Sequence, residues 1–202
     1  MSSSYRPLCL LDTTDKSFEK IIVRRLNEHL GDKLDDAQYG FRKKRSTTNA
    51  IRRLQAKVRD LNARGHLVGM LALYEQNAFN SVPCGCILDA LVDFNMPQYL
   101  VDIVASYLSC RRVKFDIRGS EEDFTVERSV PQGSVLGPCL WNVLYDGLLR
   151  QRLPENVEIL AFANDVAVIA TAEHNSSLPS LLESAYMVVG KWMSENGLTL
   201  TK

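Results

Sequence analysis

The sequence predicts an α+β fold in which an antiparallel sheet is backed by helices. Three observations carry that prediction. Apolar residues recur at helical spacing in the first sixty positions and again near position 190, and short apolar runs of strand length lie at 67–74, 157–162 and 166–170. The last two runs are separated only by a tight polar turn, which makes them neighbouring antiparallel strands. The 202 residues are 46% hydrophobic and 24% charged, proportions of a folded globular chain that exclude a disordered tail. That length suits one large domain or a fragment of something larger.

Each element has its own signal. Positions 15–30 set Phe18, Ile21, Ile22, Leu26 and Leu30 at helical spacing, with Asp15 near the start and Gly31 at the stop. Ser46, Thr47 and Thr48 cap a second helix that runs to Ala63, apolar at Ala50, Ile51, Leu54, Val58 and Leu61, and ended by Gly65. The nearly continuous apolar run 67–74 has the pattern of a central strand buried on both faces. Helices are expected at 86–94 and 97–109, then a strand pair at 112–117 and 124–130 joined by the polar turn 118–122. A helix over 134–149, a hairpin over 157–170 and a last helix over 178–195, closed by Asn196-Gly197, complete the chain.

Composition sets limits on function. No apolar run reaches the roughly 18 residues of a membrane span, and the start lacks a basic-then-apolar signal, so an intracellular location, nucleus or cytoplasm, is expected. Five cysteines, odd in number and mostly in apolar contexts, predict reduced buried thiols rather than a disulfide framework. Cys84-Gly85-Cys86 is too short for zinc-ligand spacing, and His29, His66 and His174 are scattered singly. The net charge is zero, but residues 1–66 hold 15 Lys/Arg against 8 Asp/Glu while the remainder holds 9 against 16. A basic front and an acidic back suit phosphate contact by one and cation binding by the other; two solvated faces of unlike bias are the plainer alternative.

Two motifs carry chemistry. In Ser129-Val130-Pro131-Gln132-Gly133-Ser134-Val135-Leu136-Gly137-Pro138, Pro131 fixes φ, Gly133 permits close backbone approach, and Ser134 is placed to cap the apolar helix that follows. Gln132 offers a donor and an acceptor beside that turn, suited to a base or sugar edge. The second motif, Phe162-Ala163-Asn164-Asp165, lifts polar tips out of an apolar hairpin. Asn and Asp also favour tight turns for purely conformational reasons. Joined by an anionic group from another strand, such a tip holds Mg²⁺, which takes hard oxygen ligands.

In their order and spacing these motifs resemble the reverse transcriptase domain of non-LTR, LINE-like retrotransposons, especially the insect type. The resemblance covers residues 5–202. It includes Tyr5-Arg6-Pro7-Leu8-Cys9-Leu10-Leu11, Lys16-Ser17-Phe18-Glu19-Lys20-Ile21-Ile22, Gln38-Tyr39-Gly40-Phe41-Arg42-Lys43-Lys44-Arg45-Ser46-Thr47 and Asn77-Ala78-Phe79-Asn80-Ser81. It implies a right-hand polymerase with a basic fingers-like segment over 1–66 and a palm-like segment over 67–202, truncated before the thumb and without a preceding endonuclease. The partners implied are an RNA template, a DNA primer, deoxynucleoside triphosphates and the rest of the element's polyprotein; no membrane is involved.

The resemblance also assigns roles. Phe79 is the gate against a ribose 2′-hydroxyl. Gln132, Gly133, Arg42 and Arg6 face the incoming nucleotide, while Lys43, Lys44, Arg45, Arg52 and Arg53 face nucleic-acid phosphates. The three catalytic carboxylate positions fall on Tyr74, Asn164 and Asp165, with Asn164 and Asp165 as the metal-facing pair. Only Asp165 is an acid. A phenol is a poor ligand for a hard cation and an amide lacks the charge, so Mg²⁺ binding is expected to be weakened. Each 1.4 kcal/mol lost from the transition state is tenfold in rate, which puts the expected polymerase activity down by at least about a thousandfold. Two alternatives stand beside the impaired polymerase: a non-catalytic nucleic-acid-binding remnant, and a remnant with no function.

Overall fold

The computed structural model describes residues 10–75, 77–117, 120–126 and 128–200. The chain divides into two compact units, Met1–Gly31 with Phe79–Leu144, and Asp32–Ala78 with Tyr145–Lys202.

In the first unit, α1 (Thr13–Leu30) begins where the Asp12 side chain accepts from the Asp15 N–H, and stops at Gly31 with φ +50°. Its buried residues are Glu19, Ile22, Leu26 and Leu30, whereas Phe18 and Ile21 are 56% and 55% exposed. The inward face is therefore rotated from the predicted one, with a carboxylate inside where Phe18 was expected. Its physical reason is a pair of hydrogen bonds: Glu19 Oε2 accepts from the N–H groups of Val135 and Leu136, at 2.5 and 3.0 Å. An acid goes inside when its oxygens meet backbone donors that have no other acceptor, here ahead of a helix N-terminus.

The same unit contains α4 (Cys84–Asp93), burying Ile87 and Leu91, and α5 (Gln98–Leu108), burying Leu100, Val101, Val104 and Leu108. Strands β2 (Arg112–Ile117) and β3 (Ser120–Thr125) pair antiparallel from Arg112↔Thr125 to Ile117↔Ser120. The second strand thus starts earlier than the predicted 124, and Ser120 to Glu122 belong to it rather than to the turn. The connecting residues 118 and 119 lie outside the described residues. Helix α6 (Gly137–Leu149) starts three residues after the predicted position 134, because Ser134 closes the turn ahead of it. The Ser134 hydroxyl donates to the Pro131 carbonyl at 2.8 Å and accepts from the Gly137 N–H at 2.9 Å. The unit boundary falls inside α6, between Leu144 and Tyr145, and a short helix α3 (Ala78–Ser81), not predicted, spans the other.

The second unit is built on a three-stranded antiparallel sheet, in the order β1 (Leu67–Tyr74), β5 (Asp165–Ala172), β4 (Val157–Phe162). Residues 37–39 add a short parallel bridge to the outer edge of β4: the Tyr39 N–H donates to the Ala161 carbonyl at 2.8 Å, and the Ala161 N–H to the Ala37 carbonyl at 2.9 Å. The run 67–74 is a strand as predicted, but it lies at the sheet edge, and the central strand is β5. One face of β1 meets α7 (Leu178–Glu195), where Leu178 and Leu182 approach Gly69. On the other face Met70 and Tyr74 are 55% and 44% exposed. An unbroken apolar run is compatible with burial of two faces or of one, and neighbours distant in sequence decide which.

Helix α2 (Thr47–Ala63), capped by Ser46, lies over that second face against both β1 and β4, and the ion pair between Lys57 and Glu158 joins it to β4. Cys84, Cys86, Cys110 and Cys139 are free thiols, as expected, but not fully buried ones: Cys84, Cys86 and Cys139 are half-buried and Cys110 is exposed; Cys9 lies outside the described residues. Burial pushes the Cys139 thiol up to about 12. Among the described residues no helix is long and apolar enough to cross a membrane.

Candidate active site on the β4–β5 hairpin

The β4–β5 ladder ends at the pair Phe162↔Asp165, so the loop is only two residues long, Ala163 and Asn164. Two-residue hairpin loops favour mirror-image turns with positive φ, and Ala163 takes φ +57°. Asp165, expected in the turn, is the first residue of β5. On its other side β5 pairs with β1 in the register Tyr74↔Asp165. Residues directly opposite in an antiparallel pair share a face, so Tyr74, Asp165 and Phe162 lie side by side. That face, together with α2, lines a cavity of about 360 Å³ whose wall includes Ala50, Leu54, Ala72, Tyr74, Phe162 and Asp165. The structure thus brings together Tyr74, Asn164 and Asp165, the three positions singled out in the sequence.

The turn is held from two sides. Gln38, 2% exposed, accepts from the Ala163 N–H at 2.9 Å and from the Gly40 N–H at 2.8 Å through Oε1, and donates from Nε2 to the Ala163 carbonyl at 3.1 Å. The Tyr145 hydroxyl donates to the Asn164 carbonyl at 3.3 Å. A Cβ on Gly40 would lie 2.1 Å from the Ala163 nitrogen, so that position admits glycine alone. Sequence reading named Gln38 and Gly40 only as part of a motif; the Gln-x-Gly spacing was the available signal, but its partner is 125 residues away.

Glu75, next to Tyr74, points to the opposite face, as alternation in a strand requires. It is wholly buried, neither carboxylate oxygen has a hydrogen-bond partner among the described residues, and desolvation raises its pKa to about 8. Glu75 is therefore largely protonated at neutral pH. The Tyr145 phenol is pushed up by burial first, and then by the charges of Glu75 and Asp165.

The basic residues divide into two groups. Arg42 Nη1 donates to the carbonyls of Leu34 and Asp35, at 3.2 and 2.5 Å. Arg45 donates to those of Asp36 and Gln38, at 2.5 and 3.2 Å, pairs with the Asp36 carboxylate and lies over the Tyr39 ring at 5.2 Å. Arg53 donates to the Asp36 carbonyl and the Tyr39 hydroxyl, at 3.2 and 3.4 Å. These three hold residues 34–39 in place. Burial, and secondarily the Arg45 charge, lowers the Arg42 pKa; the Arg45 hydrogen bond holds the Asp36 carboxyl below its ordinary value. Lys43, Lys44 and Arg52 are exposed.

Phe79, Gln132 and Gly133 belong to the first unit. Phe79 is half-buried, and its ring stacks on Trp141 with centroids 4.8 Å apart. Its carbonyl accepts from the Val130 N–H at 2.7 Å, which ties Phe79 to the Pro-Gln-Gly segment. Gly133 has φ +95° and is exposed, and Gln132 is half-buried. Arg6 lies outside the described residues.

This architecture is that of a right-hand polymerase. It is similar to apo telomerase from Candida tropicalis truncated from its C-terminal domain, with a TM-score of 0.68 at 12% identity over 93% of this chain and 39% of that one. Telomerase from Candida albicans in complex with the TWJ fragment of telomeric RNA gives 0.67 at 12% identity, over 91% and 34%. Residues 1–202 match the reverse transcriptase (RNA-dependent DNA polymerase) family, and the chain belongs to it. Its relatives are insect non-LTR elements. A 115 kDa protein of the type-1 retrotransposable element R1DM of Drosophila melanogaster is 30% identical over 96% of this chain and 18% of its own length. The RNA-directed DNA polymerase from mobile element jockey of Drosophila funebris is 27% identical over 94% and 22%. The chain thus spans about a fifth of the length of the curated relatives it matches.

Reverse transcriptases work with divalent metal ions. Among the described residues, no group of three or more His, Cys, Asp or Glu side chains is placed to hold one. On the Tyr74 face of the hairpin Asp165 supplies one carboxylate, and the neighbouring acid Glu75 is turned away and desolvated. The residues present do not fit a two-ion pair.

Proposed function

We propose that this chain is a palm-and-fingers segment of a non-LTR retrotransposon reverse transcriptase in which nucleotidyl transfer is impaired. The single observation supporting the impairment is the register Tyr74↔Asp165, which sets a phenol where an acid would have to stand beside Asp165. In this reading residues 1–66 are fingers-like and 67–202 palm-like. Phe79, Gln132, Gly133, Arg42 and Arg6 serve the deoxynucleoside triphosphate; Tyr74, Asn164 and Asp165 occupy the catalytic positions. Asp165 and the Asn164 amide oxygen are left to meet Mg²⁺, and weakly. RNA template and DNA primer are the nucleic-acid partners, with the remainder of a longer element protein.

The test is primer extension on an RNA template in Mg²⁺, comparing the chain with its Tyr74→Asp, Asn164→Asp double variant. Synthesis by the double variant at least about a thousandfold above the parent supports the reading, whereas robust synthesis by the parent removes it. A non-catalytic nucleic-acid-binding role is the second reading, and it is favoured by one observation: Lys43, Lys44 and Arg52 are exposed.

A further inference from the structure

We infer that Gln38 is a positioning residue for the hairpin, holding the Ala163–Asn164 turn so that Asp165 stays on the face it shares with Tyr74. The inference rests on the proposed function for its consequence, and on geometry for its cause. The Gln38 amide binds both the N–H and the carbonyl of one residue, Ala163, in the way a neighbouring strand would. Its oxygen also accepts from the Gly40 N–H, so both acceptor sites of the amide are filled. The two donors fix which end of the amide carries oxygen, since Ala163 N–H and Gly40 N–H require an acceptor there.

Ala163 needs such a hold. It is a non-glycine residue at positive φ, a conformation that a side chain disfavours and that surrounding contacts must impose. The consequence of losing it is geometric. Side chains alternate along a strand, so a slip of one residue at the turn moves Asp165 to the opposite, buried face and every following residue with it. The ladder beyond the turn resists this only in part, because β1 is an edge strand with one exposed face. Gly40 completes the fit, as the backbone at 40 and 163 approaches too closely for any Cβ.

The test uses the full chain. Gln38→Met keeps the volume and removes the hydrogen bonds. Gln38→Glu, measured near pH 5 where a buried carboxyl keeps its proton, retains both acceptors and a donor. Amide hydrogen exchange is expected to be at least about tenfold faster at Ala163 and Gly40 in Gln38→Met, with Val166 and Val168 unchanged, and to be restored in Gln38→Glu. In the Tyr74→Asp, Asn164→Asp background, Mn²⁺ affinity measured by paramagnetic broadening is expected to fall at least about fivefold on adding Gln38→Met. Unchanged protection at Ala163 overturns the inference, as does lost protection with Mn²⁺ affinity unaltered. Should Gln38→Met fail to fold, Gln38→Glu decides: ionisation removes only the donor to the Ala163 carbonyl, so a shift of the Ala163 carbonyl ¹³C resonance as the carboxyl ionises, with the Ala163 and Gly40 amides still protected, supports the hold, and a carbonyl resonance indifferent to pH overturns it. If the double variant binds no Mn²⁺, the proposed function fails, and the exchange measurements still decide the role of Gln38 in the turn.

Discussion

Tyr74 and Asp165 stand directly opposite one another across the β1–β5 ladder, on the exposed face of the sheet. A phenol and a carboxylate in that register offer a divalent ion a single charged ligand. Replacing Tyr74 by Asp sets two acids across one antiparallel pair, about 4.5–5.5 Å apart at Cβ, close enough to share an ion. We expect 1 mM Mn²⁺ to raise the melting temperature of Tyr74→Asp by about 2 °C or more and that of the parent by less, since a ligand bound only by the native state stabilises it. Differential scanning fluorimetry with and without EDTA measures this.

Glu75 predicts a pH dependence of opposite sense to the usual acid. Its folded pKa, raised by burial to about 8, lies above its ordinary value of 4.5, so the native state holds the proton more tightly than the unfolded chain. Its contribution is complete below pH 4.5 and is lost as pH rises toward 8, at a slope approaching 1.4 kcal/mol per unit and a total on the order of 5 kcal/mol. Urea midpoints from pH 5 to 9 are expected to fall for the parent and to fall much less for Glu75→Gln.

Gly40→Ala places a Cβ 2.1 Å from the Ala163 nitrogen and 2.6 Å from its Cα. Backbone cannot yield as a flexible side chain does, so the hairpin tip must move. A loss of at least about 2 kcal/mol in urea unfolding is expected, with chemical-shift changes concentrated at residues 162–165.

The two groups of basic residues predict different phenotypes. Removing exposed Lys43 or Lys44 is expected to lower the slope of log affinity against log salt for an RNA–DNA hybrid by about one each, with unfolding unchanged. Arg45→Ala removes donors to the Asp36 and Gln38 carbonyls and is expected to lower the urea midpoint instead. Salt-titrated fluorescence anisotropy beside urea unfolding separates the two.

Helix and strand limits were largely legible because caps and turns are local. Ser46 before α2 and Asn196-Gly197 after α7 stand where side-chain chemistry alone puts them. The hairpin was legible for the same reason. What could not be read was which apolar face a partner covers. Phe18 and Ile21 look like core and are exposed, because Glu19 is drawn inside by two N–H groups more than a hundred residues away. The edge position of β1 and the use of Arg42, Arg45 and Arg53 on carbonyls of residues 34–38 were hidden likewise, since both depend on tertiary neighbours. Gln38 is the sharpest case: a polar residue in a basic, loop-like stretch proves to be buried against the tip of a hairpin far along the chain.

The bonds that fix that tip run through the main chain of residues 163 and 164 and the side chains of Gln38 and Tyr145. Shape and charge at this spot are therefore set from separate places in the sequence. A tip held this way would accept acids at positions 74 and 164 by two side-chain exchanges, with its backbone hold left as it is.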